Sequence, residues 1–179
     1  LFAATLCLVF FMPLSSYYPL MTSYYFPFQA FPASIVEFTF SLGIMATSLA
    51  VGLFGHIKNK LLFAHLGLFG IALTSLISGL VPPNMTGFWV FAVVCLFMGG
   101  SGNFYGIPTI AYMQESIPGE AQGRVFSLLG SMMSLSMPVG LLVSGPISEA
   151  YGVPLWFLIS GVAMFVITLV SLLIIRKLH

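Results

Sequence analysis

Charge is what this sequence has least of. Five basic and four acidic residues leave only 5% of its 179 residues charged, where a soluble domain carries about 25%. Such a surface cannot be kept in water, so the natural solvent is lipid. A formal net charge of +1 supplies no basic field for nucleic acid and no acidic tail. Cysteine is nearly absent too: Cys7 and Cys95 each lie inside an apolar run away from any His or Cys, which excludes a disulfide framework and a zinc site and leaves packing roles. HExxH, a phosphate-cradling loop and paired intramembrane aspartates are all missing, and no cofactor is expected. The sequence opens at Leu1 inside an apolar run, with no basic flank and no small-residue cleavage site. That argues against a signal peptide and for a piece of a longer chain.

What is abundant is apolar length. Hydrophobic residues make up 59% of the chain, and the mean hydropathy is +1.10. A helical crossing of the hydrocarbon needs about 20 such residues. Six runs qualify, at residues 1–21, 33–57, 61–81, 87–114, 124–150 and 153–175. Turn chemistry separates them: Pro27 and Pro32, His56 through Lys60, Pro82-Pro83-Asn84, Pro118-Gly119, and Tyr151-Gly152 before Pro154. A transmembrane barrel is excluded because these are long continuous stretches, not about ten-residue segments of alternating polarity. The expected fold is an all-α membrane protein of six transmembrane helices, forming one bundle over residues 1–179.

Charge placement gives the orientation. Lys58 and Lys60 follow the second run, Arg124 the fourth, and Arg176 and Lys177 the sixth; the other three junctions hold no Lys or Arg. The positive-inside rule makes that side cytoplasmic, with both ends of the unit facing the cytoplasm. Helices two and five also echo one another: Phe40-Ser41-Leu42, Gly43 and Val51-Gly52-Leu53 against Phe126-Ser127-Leu128, Gly130 and Val139-Gly140-Leu141. Corresponding positions in two three-helix repeats would produce such an echo.

Few residues can carry chemistry. Glu37 is the acid that falls inside a span, about 6 Å along the second helix at 1.5 Å per residue. It faces either a wet cavity, where a proton could be taken up, or the interface. In helix four Gly99, Gly100, Gly102 and Gly106 thin one stretch, Asn103 adds an amide, Tyr105 a hydroxyl, and Pro108 deletes a backbone bond. Such interruptions are where carriers hold ligands and bend, although small residues also serve close helix packing. Helix five carries Pro138, Gly140, Gly145 and Pro146, which with Gly99, Gly100 and Gly102 are candidate hinges. Glu115, Glu120 and Arg124 in one cytoplasmic loop, and His56, Lys58 and Lys60 in another, are candidate gate residues that would latch a closed state. Tyr17, Tyr18, Tyr24, Tyr25 and Phe26 are placed where an aromatic belt would lie, or where some of them would line a greasy pocket for a bulky apolar ligand. Most of the ten Met read as filler against lipid and helices. Helices one, two, four and five are expected to line a cavity, and three and six to face lipid.

Gly99-Gly100-Ser101-Gly102 also fits the G-x-S-G nucleophile pattern of rhomboid proteases, which have six core helices and place the serine on the fourth. Their base is a histidine on the sixth helix, and residues 153–175 contain none. A serine nucleophile without a base in reach is unactivated, so the chain is not expected to be an enzyme.

Several stretches carry a family resemblance. They are Gln114-Glu115-Ser116-Ile117-Pro118 with Gly123-Arg124-Val125-Phe126-Ser127-Leu128, then Met137-Pro138-Val139-Gly140-Leu141 through Ser144-Gly145-Pro146-Ile147, and Lys58-Asn59-Lys60-Leu61-Leu62-Phe63-Ala64-His65. They resemble the C-terminal six helices of a major facilitator superfamily transporter, in the macrolide-efflux branch of the bacterial drug:proton antiporters. The superfamily's G-x-x-x-D-x-x-G-R-K loop signature falls on residues 52–61, keeping Gly52 and Lys60 but placing His56 at the acid and Asn59 at the second glycine. The resemblance implies one half, a 3+3 repeat, of a twelve-helix carrier in the bacterial cytoplasmic membrane. It implies proton-driven export of bulky hydrophobic compounds, with a missing N-terminal six-helix half, protons and a hydrophobic small molecule as partners. The alternative is a six-helix membrane scaffold or assembly protein that self-associates through its Gly/Ser faces.

Overall fold

Lipid offers no hydrogen bonds to a peptide backbone, so a spanning chain must close its own. A computed structural model of the protein describes residues 2–26, 32–54 and 59–178, and among these it is helical throughout, without strands. Helix α1 spans Phe2–Leu20 and continues as a wider π-helical turn, Met21–Tyr25; α2 spans Pro32–Phe54, α3 Lys60–Leu80, α4 Met85–Ser116, α5 Gly119–Tyr151 and α6 Val153–Leu178. Helices α2 to α6 each contain a stretch long and apolar enough to cross a membrane. The chain is thus an all-α, multi-pass membrane bundle.

The corners follow from local chemistry. Between α3 and α4, Pro82 and Pro83 withhold two donors, and Asn84 caps α4 by accepting the Gly87 N–H at 2.6 Å. Gly152 ends α5 with φ of 89°, a left-handed conformation that glycine adopts without a Cβ penalty, and its N–H returns to Ser148 O at 2.9 Å. The α4–α5 corner is shorter than the sequence implies. It consists of Ile117 and Pro118, held by Gln122, whose Nε2 donates to Gln114 O at 2.8 Å and Ile117 O at 3.1 Å. Glu115, Glu120 and Arg124 therefore sit on helix ends and not in a loop. With 32 and 33 residues, α4 and α5 run to roughly 50 Å, well beyond a hydrocarbon core of about 30 Å, which is length enough to hold those charges outside the lipid.

Packing has a partial internal symmetry, broken by an α5–α6 contact that has no counterpart of like extent between α2 and α3. Helix α4 packs on α2 and α3, α1 packs on α5 and α6, and α3 packs on α6. Exchanging α1 with α4, α2 with α5 and α3 with α6 maps α2–α4 onto α5–α1 and α3–α4 onto α6–α1, and leaves α3–α6 in place. The echo between helices two and five does not reach the contact glycines. A Cβ on Gly43 would run into Leu96 O of α4, whereas the aligned Gly130 has open space around it; the close contact on α5 is made by Gly140, against Val9 O and Pro13 of α1.

The core is aromatic. Tyr18 sits among Phe40, Phe91 and Phe157 and donates its hydroxyl to the sulfur of Met98, while Phe26 packs on Phe88 and Phe91. Tyr17, Tyr18 and Phe26 are buried and so belong to the bundle interior instead of an interfacial belt. The side chains of Tyr24 and Tyr25 lie outside the description.

Candidate functional site

A cavity of about 230 Å³ opens among the helices. Helix α1 contributes Cys7, Phe11 and Met12, α2 Phe40 and Ile44, α3 Leu68 and Ile71, α5 Met133 and α6 Met164, so helices three and six, expected to face lipid, also line it. Helix α4 supplies the wall that gives it shape: Gly99, Gly102 and Gly106 leave room, and Asn103 and Tyr105 bring polar groups. Gly99 has a second duty, since a Cβ there would strike Phe40 O. The same absence of side chains that opens the cavity lets α2 lie close against α4.

Asn103 is held in one orientation. Its Nδ2 donates to Ile44 O at 3.0 Å and to Ser48 Oγ at 2.6 Å, while the Ser48 hydroxyl proton goes to the same Ile44 carbonyl at 2.8 Å. A carbonyl only accepts, and a serine whose proton is committed must accept as well. The nitrogen end of the amide is therefore fixed toward α2, and Oδ1 is left without a hydrogen-bond partner among the described residues.

Glu37 does not line this cavity. It is exposed in the second turn of α2, on the helical face that continues through Ser41 and Ile44 to Ser48, spacings of four, three and four that share one side. Glu37, Ser41 and Ser48 thus share one face of α2, interrupted by the apolar Ile44, that leads toward the Asn103 amide. Sequence reading singled out the carboxylate and the amide but missed Ser48, although that spacing was available as a signal.

The remaining candidates separate. Pro108 is buried in an uninterrupted α4, outside the cavity lining. Gly100 is buried against Thr47, Gly140 against α1, and Gly145 has open space; Pro138 and Pro146 are exposed on a continuous α5. Of the gate residues, the structure brings Lys60 and Glu115 together as an ion pair across the ends of α3 and α4. Glu120 lies in the first turn of α5, where a carboxylate suits the helix dipole, and neither it nor Arg124 is ion-paired among the described residues. His56 and Lys58 lie outside the described residues.

Ser101 faces a separate hollow of about 370 Å³ between α2, α3 and α4, beside Thr47 and Gly67. Neither nitrogen of His65 serves it: Nδ1 pairs with Leu61 O at 2.7 Å and Nε2 with Ser171 Oγ at 3.0 Å.

Long apolar helices in a two-fold related packing, closed around a cavity with one oriented amide, define a multi-pass bundle of carrier type. The chain belongs to the Major Facilitator Superfamily, whose family model matches residues 1–178. It is 39% identical over 180 residues to Macrolide efflux protein A of Streptococcus pyogenes, covering 99% of this chain and 44% of that protein. The Enterococcus faecalis protein of the same name is 39% identical over 141 residues, covering 79% of this chain and 43% of that one. An uncharacterized MFS-type transporter of Bacillus subtilis, YfiS, is 29% identical over 90 residues, half of this chain and 22% of that one. The chain thus spans less than half the length of these relatives. No solved structure matches it significantly.

Proposed function

We propose that the chain forms one six-helix half of an efflux transporter in a bacterial cytoplasmic membrane, exporting bulky hydrophobic compounds of macrolide type by proton-coupled alternating access. The observation that carries this reading is the cavity, lined from all six helices with Phe, Met and Gly around a single amide. The names and lengths of the macrolide-efflux relatives support it, as does the internal 3+3 packing. All six helices span the membrane in this reading, with both ends cytoplasmic, where every Lys and Arg then lies. The N-terminal six-helix half supplies the opposite cavity wall. Glu37 is the proton-linked group, reaching the cavity along the α2 face that carries Ser41 and Ser48. Lys60 and Glu115, with His56, Lys58, Glu120 and Arg124, form the cytoplasmic gate, and the glycines and prolines of α4 and α5 permit the bending. The chain acts as a carrier and performs no covalent chemistry.

The test is accumulation of a labelled macrolide in cells expressing the full-length protein. Expression is expected to lower accumulation, and a proton uncoupler to restore it. Glu37→Gln is expected to raise accumulation toward the uncoupled level. Accumulation that ignores both expression and uncoupler would overturn the export reading, and an inert Glu37→Gln would remove that carboxylate from the coupling.

A further inference from the structure

A half-buried acceptor on a cavity wall becomes informative when a compound displaces its water. The Asn103 carbonyl lines the cavity, and a compound that covers it without supplying a donor strips its hydration without compensation, so it is a defined demand on whatever enters. Both Nδ2 protons are spent on Ile44 O and Ser48 Oγ, and Ser48 cannot return a proton because it has donated its own to Ile44 O. The amide cannot flip without setting its oxygen against the Ile44 carbonyl. Phe11, Phe40, Met12 and Met133 around it offer shape and dispersion and no directional contact.

Resting on the export reading above, we propose that Asn103 is the specificity-determining residue of the cavity, and that Oδ1 selects apolar compounds bearing a hydrogen-bond donor, a hydroxyl or an N–H, over analogues that lack one. Ser48 is a positioning residue: it holds the amide and does not touch the compound. The two-point tie to α2 makes the acceptor pre-oriented, so little ordering is lost when a donor meets it. The surrounding Phe and Met side chains tolerate many shapes, which leaves the donor as the common requirement.

The experiment compares two tritiated probes, N-phenyl-1-naphthylamine, which carries one N–H, and its N-methyl analogue, which carries none. Each is bound at equilibrium to the full-length protein in lipid nanodiscs, with empty discs subtracted. The wild type is expected to prefer the N–H probe by about two- to tenfold, the range of one net hydrogen bond. Asn103→Leu is expected to bring the ratio to about one while the N-methyl probe still binds. Ser48→Ala loosens the same tie to α2 but keeps Oδ1 in the cavity, so it is expected to retain a preference and thereby separates selection from folding. Equal binding of the two probes to wild type, no specific binding of either, or a preference that survives Asn103→Leu would each overturn the proposal. Binding is read without energising the membrane, so a protein that prefers the donor probe but shows no uncoupler-sensitive accumulation would sink the export reading and leave this one standing.

Discussion

The bundle has two kinds of exposed face. Among the described side chains, the exposed positions on α3 are Leu62, Leu66, Leu73, Ile77 and Leu80, and on α6 Val162, Val166, Leu169, Val170, Leu173 and Ile174, all aliphatic. On α2 the exposed face mixes Ser34, Glu37, Ser41 and Ser48 with Phe38, Met45, Leu49 and Leu53, and on α5 Ser127, Ser131 and Ser134 with Leu128, Leu135 and Leu142. Hydroxyls and a carboxylate gain nothing from acyl chains, whereas small polar side chains favour close helix–helix contact and cross-helix hydrogen bonds. The first face has the chemistry of a lipid boundary and the second that of a surface waiting for protein or water. In the proposed transporter the second face meets the other six helices, which is why the same bundle can look finished from one side and incomplete from the other.

A charge placed on each face should break the tie between them. Val166 and Ser134 are both exposed and both near the middle of their helices. Val166→Arg is expected to cost about 2.5–3.5 kcal/mol of insertion free energy, the penalty for arginine at a helix centre, and to remove most membrane-integrated protein. Ser134→Arg is expected to be integrated far better in the full-length protein. Equal losses, measured as carbonate-resistant yield in isolated membranes, would show that both faces meet lipid.

A smaller effect sharpens the comparison inside the bundle. Helices α2 and α4 approach so closely that a Cβ on Gly43 meets Leu96 O, while Gly130 on α5 has nothing within 4 Å. Gly43→Val is expected to lower stability by about 1–3 kcal/mol through overpacking. Gly130→Ala should be neutral or stabilising by up to about 1 kcal/mol through helix propensity. Thermal unfolding in one detergent gives both; equal shifts would mean that the α2–α4 contact yields as easily as open space.

Long apolar runs made the helical class legible, because hydrocarbon permits little else. Pro82-Pro83-Asn84 and Gly152 were legible as breaks because their backbone chemistry is local. What stayed hidden is relational. Tyr17, Tyr18 and Phe26 have the composition of an interfacial belt, and only the packing of α1 against its neighbours places them in the core. The α4–α5 corner was read as a charged loop because Glu115, Glu120 and Arg124 are polar; Gln122 capping and helices longer than the bilayer keep that stretch helical. At the site, Asn103 and Tyr105 could be picked from helix four by their contrast with glycine and aliphatic neighbours. Ser48 could not, since one serine among many acquires meaning only when the Asn103 amide arrives from another helix. The same holds for Met133, an ordinary apolar residue until the fold turns it toward the cavity.

The smallest expected effect concerns the lipid-facing pair itself. Helices α3 and α6 are joined by His65 Nε2 and Ser171 Oγ at 3.0 Å, the counterpart on this side of the Asn103–Ser48 contact between α4 and α2. Hydrogen bonds between membrane helices average about 0.6 kcal/mol in double-mutant cycles, because the separated helices also find partners. A cycle built from His65→Phe and Ser171→Ala is expected to give a coupling of about that size. The cycle built from Asn103→Leu and Ser48→Ala should give a similar coupling in stability, and differ in also changing ligand preference. If the His65–Ser171 cycle moved probe preference as well, α3 and α6 would set ligand choice through more than the Leu68, Ile71 and Met164 side chains that line the cavity, and the division of the bundle into a lipid side and a working side would fail.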